Sequence, residues 1–487
     1  MPANNSANEG LDRQVWSVAA VVVVGMIMVI LDTTIVAVAL ETLSRDLNSS
    51  LSTIQWVSSG YLLSLALVIP PSGWVTERFG SKRVWIVSLG LFGIGSALCG
   101  LAWSAGALIF FRVLQGLGGG MIMPVGMSLL TQTAGPKRVG RVMSVVGVPI
   151  LLGPILGPVI GGAIIDGASW HWIFYVNVPI AVIALALAAR LLNPGSGRAD
   201  AGRLDWRGLL LISPGLVGLV FGLSEIQDQG GIGHPIAFGP IVAGLFLISA
   251  FAVHSYRAPR ALIDVRLFRS RTFSVASVLT FILGAALFGA MLLLPLYYQV
   301  AQGESPLTAG LLMAPQGLGA ALVMPISGQL TDRIGAGPVV VFGTVVMALA
   351  TLPFVFVSAD TSNTLLGGAL VARGIGLGCA MMPAMAAAYA VLTPAEVPRA
   401  TSALNALQRV GGAIGTALLA VVLQHQLATA SSAPSASRAT GVAAAFGHTF
   451  WWAIGLSVLA VVPAVILART QRHERVRPAE SPAGAVA

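Results

Sequence analysis

Apolar residues along this chain come in long unbroken runs, not in the alternation of a strand or the one-sided stripe of a soluble helix. Fourteen runs can be traced, over 15–40, 54–74, 84–103, 106–128, 141–165, 171–192, 207–224, 235–255, 273–300, 306–328, 338–357, 363–389, 400–423 and 447–468. The hydrocarbon core of a bilayer is about 30 Å thick and takes about 20 helical residues to cross. Each run is therefore expected to be a membrane-spanning helix. The first is too long for a signal-peptide core and has no small-residue cleavage site, so it counts as a retained span.

Composition agrees with that reading. Of 487 residues 56% are hydrophobic and 9% charged, with a mean hydropathy of +0.86. A soluble domain carries about 25% charged residues, so a soluble enzyme, a disordered chain and a nucleic-acid-binding domain are all excluded. The net charge of +9 follows from topology. With the N-terminus placed in the cytoplasm and the spans alternating, the basic residues outside the spans fall on the cytoplasmic side, except Arg45 and Arg438. Membrane insertion asks for this bias. Both termini are thus expected inside the cell, and the chain in the cytoplasmic membrane. Cys99 and Cys379 lie in apolar stretches and suggest neither a disulfide nor a metal site.

Two segments repeat in order. Gly73-Trp-Val-Thr-Glu-Arg-Phe-Gly80 shares its glycines, threonine and arginine with Gly328-Gln-Leu-Thr-Asp-Arg-Ile-Gly335. Arg112-Val-Leu-Gln-Gly-Leu-Gly matches Arg373-Gly-Ile-Gly-Leu-Gly, and Met-Pro follows both. The offsets are 255 and 261 residues. An all-α integral membrane fold of two six-helix bundles follows, over 1–193 and 261–470. Between them, 194–260 holds two extra spans without a counterpart. The Ala/Ser/Thr-rich segment 425–446 is expected to be mobile, and 471–487 a disordered cytoplasmic tail. Repeats of this kind place a transported substrate between the halves.

Charges within spans are costly and tend to face the protein interior. Asp32 and Arg112 each lie about six residues, or roughly 9 Å, below the outer ends of their helices, so they can meet inside the first bundle. A carboxyl in low dielectric prefers to be neutral, and a neighbouring guanidinium prefers it charged. The pair is therefore the candidate for proton coupling, with a static ion pair as the alternative. Arg373 repeats Arg112, yet the ninth span contains no acid. Candidate cavity residues are Tyr61, Gln115, Tyr298, Gln316 and Asn405.

Gly153, Gly157, Gly161 and Gly162 allow close backbone approach, and Pro154 and Pro158 bend the helix. Such a helix suits a seam that seals and reopens. In the turn after the second span, Gly73 and Gly80 permit a tight reversal. There Glu77 can face a helix N-terminus or an arginine, while Arg78, Lys82 and Arg83 can face lipid phosphate or helix C-termini. Glu77 and Arg78, with Asp332 and Arg333 of the repeat, are expected to latch one arrangement of the bundles.

These motifs resemble the major facilitator superfamily. Gly73–Arg83 is similar to its loop signature, Arg112–Gly120 to its fourth-helix motif and Gly153–Gly162 to its antiporter motif. Leu31-Asp-Thr-Thr-Ile-Val-Ala-Val-Ala-Leu40 resembles the first-helix motif of the fourteen-span drug:proton antiporters. Ala37 stands where that family usually has Asn, Glu41 where it has Pro, Glu77 where it has Asp, and Ser81 where it has a basic residue. The resemblance implies proton-driven export of lipophilic, cationic or neutral small molecules such as drugs or antibiotics. The alternative is a dedicated exporter of one endogenous metabolite, an antibiotic or siderophore. An enzyme is not expected, since the outer acids are scattered. There is no P-loop or other cofactor signature, so no cofactor, no metal and no nucleic-acid partner are expected. The partners are substrate, protons and lipid, and the chain is expected to be a monomer.

Overall fold

The computed structural model describes residues 13–476 apart from 136–137, 139–141, 143–146, 148–152, 154–155, 158, 166, 194–201, 229–232, 259–260, 359–360 and 432–437. Among the described residues every regular element is a helix. The long ones are α1 (Arg13–Asp46), α2 (Leu51–Phe79), α3 (Ser81–Gly100), α4 (Ala105–Ala134), α5 (Asn177–Leu191), α6 (Trp206–Asp228), α7 (Pro235–Arg257), α8 (Arg271–Leu296), α9 (Pro306–Ile334), α10 (Ala336–Thr351), α11 (Asn363–Ala390), α12 (Val397–Ser431) and α13 (Arg438–Val476). Among the described residues thirteen helical stretches are long and apolar enough to cross a bilayer. The run at 141–165 includes positions outside the described residues, and its stretch 159–165 is helical.

The helix ends are written in the sequence. Ser50, Ser104, Ser270 and Ser305 each accept a hydrogen bond from a backbone amide of the first turn of α2, α4, α8 and α9. Each such cap is worth about 1 kcal/mol. Gly80 and Gly335 adopt φ of 85° and 97°, a region open to glycine and strained for other residues. They reverse the chain at α2/α3 and at α9/α10, where the repeat has its matching glycines. In both cases the glycine amide bonds to a threonine carbonyl one turn back, Thr76 and Thr331.

Packing follows the repeat. In the first half α4 packs on α1, α2 and α3, and α5 on α1 and α3. In the second half α11 packs on α9 and α10, and α8 on α12 and α13. The halves meet where α12 lies against α2 and α4. The extra pair, α6 and α7, is attached along this line, with α6 against both α2 and α12. One cluster joins all three parts, combining Ile69, Ile212, Phe251, Leu262 and Ala403. On α7, Phe238, Leu245, Phe246 and Val253 are more than half exposed, as lipid-facing side chains would be.

Two expectations are corrected. Residues 425–431 and 438–446, read as mobile, are helical parts of α12 and α13. Their alanines favour helix strongly enough to carry it past the apolar run. Likewise α13 continues to Val476, so 471–476 of the expected disordered tail are helical.

Candidate functional site

The buried centre of the first half is polar. Arg112 Nη1 donates to Asp32 Oδ2 at 2.6 Å, and both side chains are essentially inaccessible, at 1% and 0%. Two amides complete the carboxylate's shell on Oδ1: Gln115 Nε2 at 2.9 Å and Asn177 Nδ2 at 3.0 Å. Arg112 is satisfied further by Gln115 Oε1 at 2.7 Å and the Val57 carbonyl at 3.1 Å. Its guanidinium also stacks on the Tyr61 ring, 3.9 Å from the centroid. Four helices supply this cluster: α1, α2, α4 and α5. A buried ion pair is tolerable when further hydrogen bonds fill the remaining lone pairs and protons, and here they do.

Asn177 was not legible in the sequence. It sits at the start of α5, also donates to Ser96 Oγ at 3.1 Å, and so ties Asp32 to α3. Its Oδ1 is buried without a hydrogen-bond partner among the described residues. Gln115, expected in the substrate cavity, lies in the shell of Asp32. Its spacing from Arg112 (i, i+3 on one helix face) was the available signal.

The repeat places Arg373 equivalently in the second half. Its Nη1 donates to Gln316 Oε1 at 2.6 Å and its Nη2 to the Ala286 carbonyl at 3.4 Å. Gln316 lies 255 residues after Tyr61, the same offset as the loop motifs, so both halves use one position of their second helix against the arginine. Tyr298 is buried in an apolar cluster with Tyr297, Phe354 and Leu423. Asn405, also buried, bonds back to the Thr401 carbonyl of its own helix at 2.9 Å.

At the basic end of the molecule the two halves are fastened. Glu77 Oε2 accepts from Arg399 Nη2 at 2.8 Å. Arg399 lies in the first turn of α12, so Glu77 meets both an arginine and a helix N-terminus. Arg399 Nη1 also donates to the Ala261 carbonyl at 3.2 Å. Ser72 and Ser402 share a hydrogen bond of 2.8 Å across the same line. A Cβ on Gly73 would stand 2.9 Å from both the Arg399 Cα and the Pro398 carbonyl oxygen. Gly73 therefore serves the contact between halves, and the chain reversal expected of it belongs to Gly80 alone. Lys82 donates to the carbonyls of Ala189 (2.8 Å) and Leu192 (2.5 Å), the helix C-terminus that its charge favours. Arg78, Asp332 and Arg333 lie in the last turns of α2 and α9 at this end.

The glycines of 153–162 are placed differently from the expectation of a seam between halves. A Cβ on Gly153 would collide with Ile30, one on Gly157 with Thr34, and one on Gly161 would crowd Ile35. Thr34 Oγ1 lies 3.3 Å from the Gly153 carbonyl. These three glycines press on the stretch of α1 that carries Asp32, within one half. Gly162 has open space around it, and Pro154 and Pro158 lie outside the described residues.

A family model described as Major Facilitator Superfamily matches residues 22–416. The Multidrug resistance protein B homolog of Mycobacterium tuberculosis (strain ATCC 25618 / H37Rv) is 42% identical over 419 residues, covering 85% of this chain and 77% of its own length. The Tetracenomycin C resistance and export protein of Streptomyces glaucescens is 30% identical, covering 86% and 78%. Among solved structures, the human organic anion transporter MFSD10 (TETRAN) aligns with a TM-score of 0.60 over 92% of this chain and 100% of its own, at 16% identity, a likeness of fold alone.

Proposed function

The chain belongs to the major facilitator superfamily, as a multi-pass membrane transporter, and on that premise we propose that it exports lipophilic small molecules such as drugs or antibiotics from the bacterial cytoplasm in exchange for protons. Both termini lie in the cytoplasm, which makes the basic end, fastened by Glu77 and Arg399, the inner gate. Two relatives named for multidrug resistance and for tetracenomycin C export support the direction of transport.

The observation that carries the proton half of this reading is the shell of Asp32. The carboxylate sits on α1 while its partners Arg112 and Gln115 sit on α4 and Asn177 on α5, so small movements of α1 against α4 change the bonds it keeps. The glycines at 153, 157 and 161 pack on that part of α1, and a movement of the fifth span would be felt at Asp32 directly. A proton arriving from outside neutralises Asp32 and weakens its bond to Arg112. Reorientation then exposes the site inward, where closer contact with Arg112 expels the proton. Glu41, at the outer end of α1, is exposed and lacks such a shell.

The test is proton flux from vesicles containing the purified protein. Asp32→Asn keeps the shape and removes the titration. Substrate-induced proton release and uphill transport are expected to disappear, while downhill exchange of substrate persists. Coupling at the wild-type ratio in Asp32→Asn would move the proton carrier elsewhere.

A further inference from the structure

Among the described residues no donor reaches Asn177 Oδ1, although the side chain is wholly buried. Buried polar atoms normally find partners, so an orphaned acceptor here asks for an explanation. The amide nitrogen of the same side chain is fully used. One of its hydrogens goes to Asp32 Oδ1 at 3.0 Å and the other to Ser96 Oγ at 3.1 Å. Ser96 in turn donates to the Phe174 carbonyl at 2.9 Å. The orphan therefore stands beside a carboxyl that, on the proposed reading, changes from acceptor to donor when a proton arrives.

The shell of Asp32 restricts where that proton can sit. Oδ2 faces Arg112 Nη1 at 2.6 Å, and a guanidinium has no acceptor to offer an O–H. The proton therefore belongs on Oδ1, whose partners are the amides of Gln115 and Asn177. An amide becomes an acceptor by turning over, which exchanges its oxygen and nitrogen. Gln115 is held against this, because its Oε1 accepts from Arg112 Nη1 at 2.7 Å. Turned over, it would set an N–H against that guanidinium. Asn177 is under no such restraint. Turned over, its Oδ1 takes the place of Nδ2 and meets both the Asp32 O–H and the Ser96 hydroxyl, so the side chain keeps two hydrogen bonds. Besides Arg112, the titratable groups facing the carboxyl from the packed helices are Tyr61 of α2 and Cys99 of α3. Neither is hydrogen-bonded to it among the described residues.

We infer that Asn177 is a positioning residue for the proton: its side-chain amide turns over when Asp32 is protonated and accepts the hydrogen bond of the Oδ1–H. This rests on the reading of Asp32 as proton carrier and assigns the group that stabilises its neutral form. In the charged state Nδ2 donates to the carboxylate, and in the neutral state Oδ1 accepts from the acid. One side chain thus serves both states, which a donor-only group such as Arg112 cannot do. The same turn draws the Ser96 hydroxyl hydrogen from the Phe174 carbonyl to Asn177 Oδ1. Phe174 belongs to the helical turn Trp172–Tyr175 just before α5, so the start of the sixth span loses one tie to α3 as the proton binds.

The test is infrared difference spectroscopy of the full chain in lipid, acid minus alkaline pH, with no ligand added. A carboxylic carbonyl band that is absent from Asp32→Asn identifies the neutral Asp32. With carbon-13 in the side-chain carbonyl of asparagine, the same spectrum should show an asparagine carbonyl moving to lower frequency on acidification, because an unbonded carbonyl gains two donors. That signal should also be absent from Asp32→Asn, which ties it to the one asparagine bonded to this carboxyl among the described residues. Asn177→Leu should remove the signal and raise the frequency of the Asp32 carbonyl, whose O–H has lost its acceptor. An Asp32 band with no accompanying asparagine signal would overturn the inference, and this comparison needs no Asn177 variant to fold. So would an asparagine signal that survives Asn177→Leu, or an Asp32 band that Asn177→Leu leaves unmoved. Absence of any Asp32 band would instead defeat the reading of Asp32 as proton carrier, and this inference with it.

Discussion

Arg112 and Arg373 occupy matched positions in the two halves and are both almost fully buried, yet their surroundings differ. Arg112 has a carboxylate, a carboxamide, a carbonyl and an aromatic face. Arg373 has a carboxamide and one longer bond to a carbonyl. The fold needs an arginine-sized side chain crossing from the fourth helix of each half to the second. Among the described residues only the first half places an acid beside it. The shared arginine is common to both halves, and on the proposed reading the acid, with the two amides that hold it, serves the transport chemistry. The molecule has kept the scaffold twice and placed its ionisable pair once.

The largest effect should come from removing each arginine in turn. Arg112→Met strands the Asp32 carboxylate in a dry interior, and breaking a buried pair from one side costs about 3–5 kcal/mol. Arg373→Met leaves no charge behind, and replacing a poorly compensated buried cation by an apolar side chain is about neutral or stabilising. Thermal unfolding in detergent should therefore show a large fall for the first and none, or a rise, for the second. Adding Asp32→Asn to Arg112→Met should restore most of the loss, because the two sites are in contact and not additive. Equal destabilisation by the two single variants would mean that the halves are not distinguished by the acid at all.

A smaller effect separates the two kinds of glycine contact. Gly73→Leu places atoms against the backbone of Pro398 and Arg399, which cannot yield as a side-chain tip can. The halves must part at the basic end. With Cys99 and Cys379 replaced, a cysteine at Asn405, which is now 6% exposed, should react several-fold faster with a thiol reagent applied from the cytoplasmic side. Gly157→Leu collides with Thr34 inside one half. It should abolish transport in a protein that still reaches the membrane, without changing the Asn405 cysteine's reactivity. Normal transport by well-expressed Gly157→Leu would count against any role for that contact in gating.

Much of this was legible before the structure. Run length gave the spans, charge asymmetry suggested their orientation, and two repeated segments gave the matched halves. The pairing of Asp32 with Arg112 followed from depth and from the scarcity of intramembrane charge. What the sequence hid were partners distant along the chain and ordinary in composition. Asn177 is one amide at a helix start, and no local pattern marks it as a ligand of Asp32. Arg399 looked like one more basic residue on the cytoplasmic side, and its bond to Glu77 exists only because two halves meet. The glycines of 153–162 announced a close approach but not its partner, since a small face carries no address.

The smallest effect concerns Tyr61, the repeat-mate of Gln316. Its ring lies over Arg112, but its hydroxyl is buried and has no hydrogen-bond partner among the described residues. The Gln316 amide, in contrast, is bonded to Arg373 at 2.6 Å. The two positions therefore hold their arginines by different means, one by the face of a ring and one by a polar atom. Tyr61→Phe keeps the ring and removes only a hydroxyl whose desolvation is uncompensated, so unfolding should shift by less than about 0.5 kcal/mol or become slightly harder. Tyr61→Leu loses the cation–π contact, worth about 0.5–2 kcal/mol, and should be measurably weaker than Tyr61→Phe. Gln316→Leu should show the opposite balance, because there the polar atom is the whole of the contact. If Tyr61→Phe proves as damaging as Tyr61→Leu, the hydroxyl has a partner in another state of the cycle, and comparing the two variants in transport and in stability would reveal which state it is.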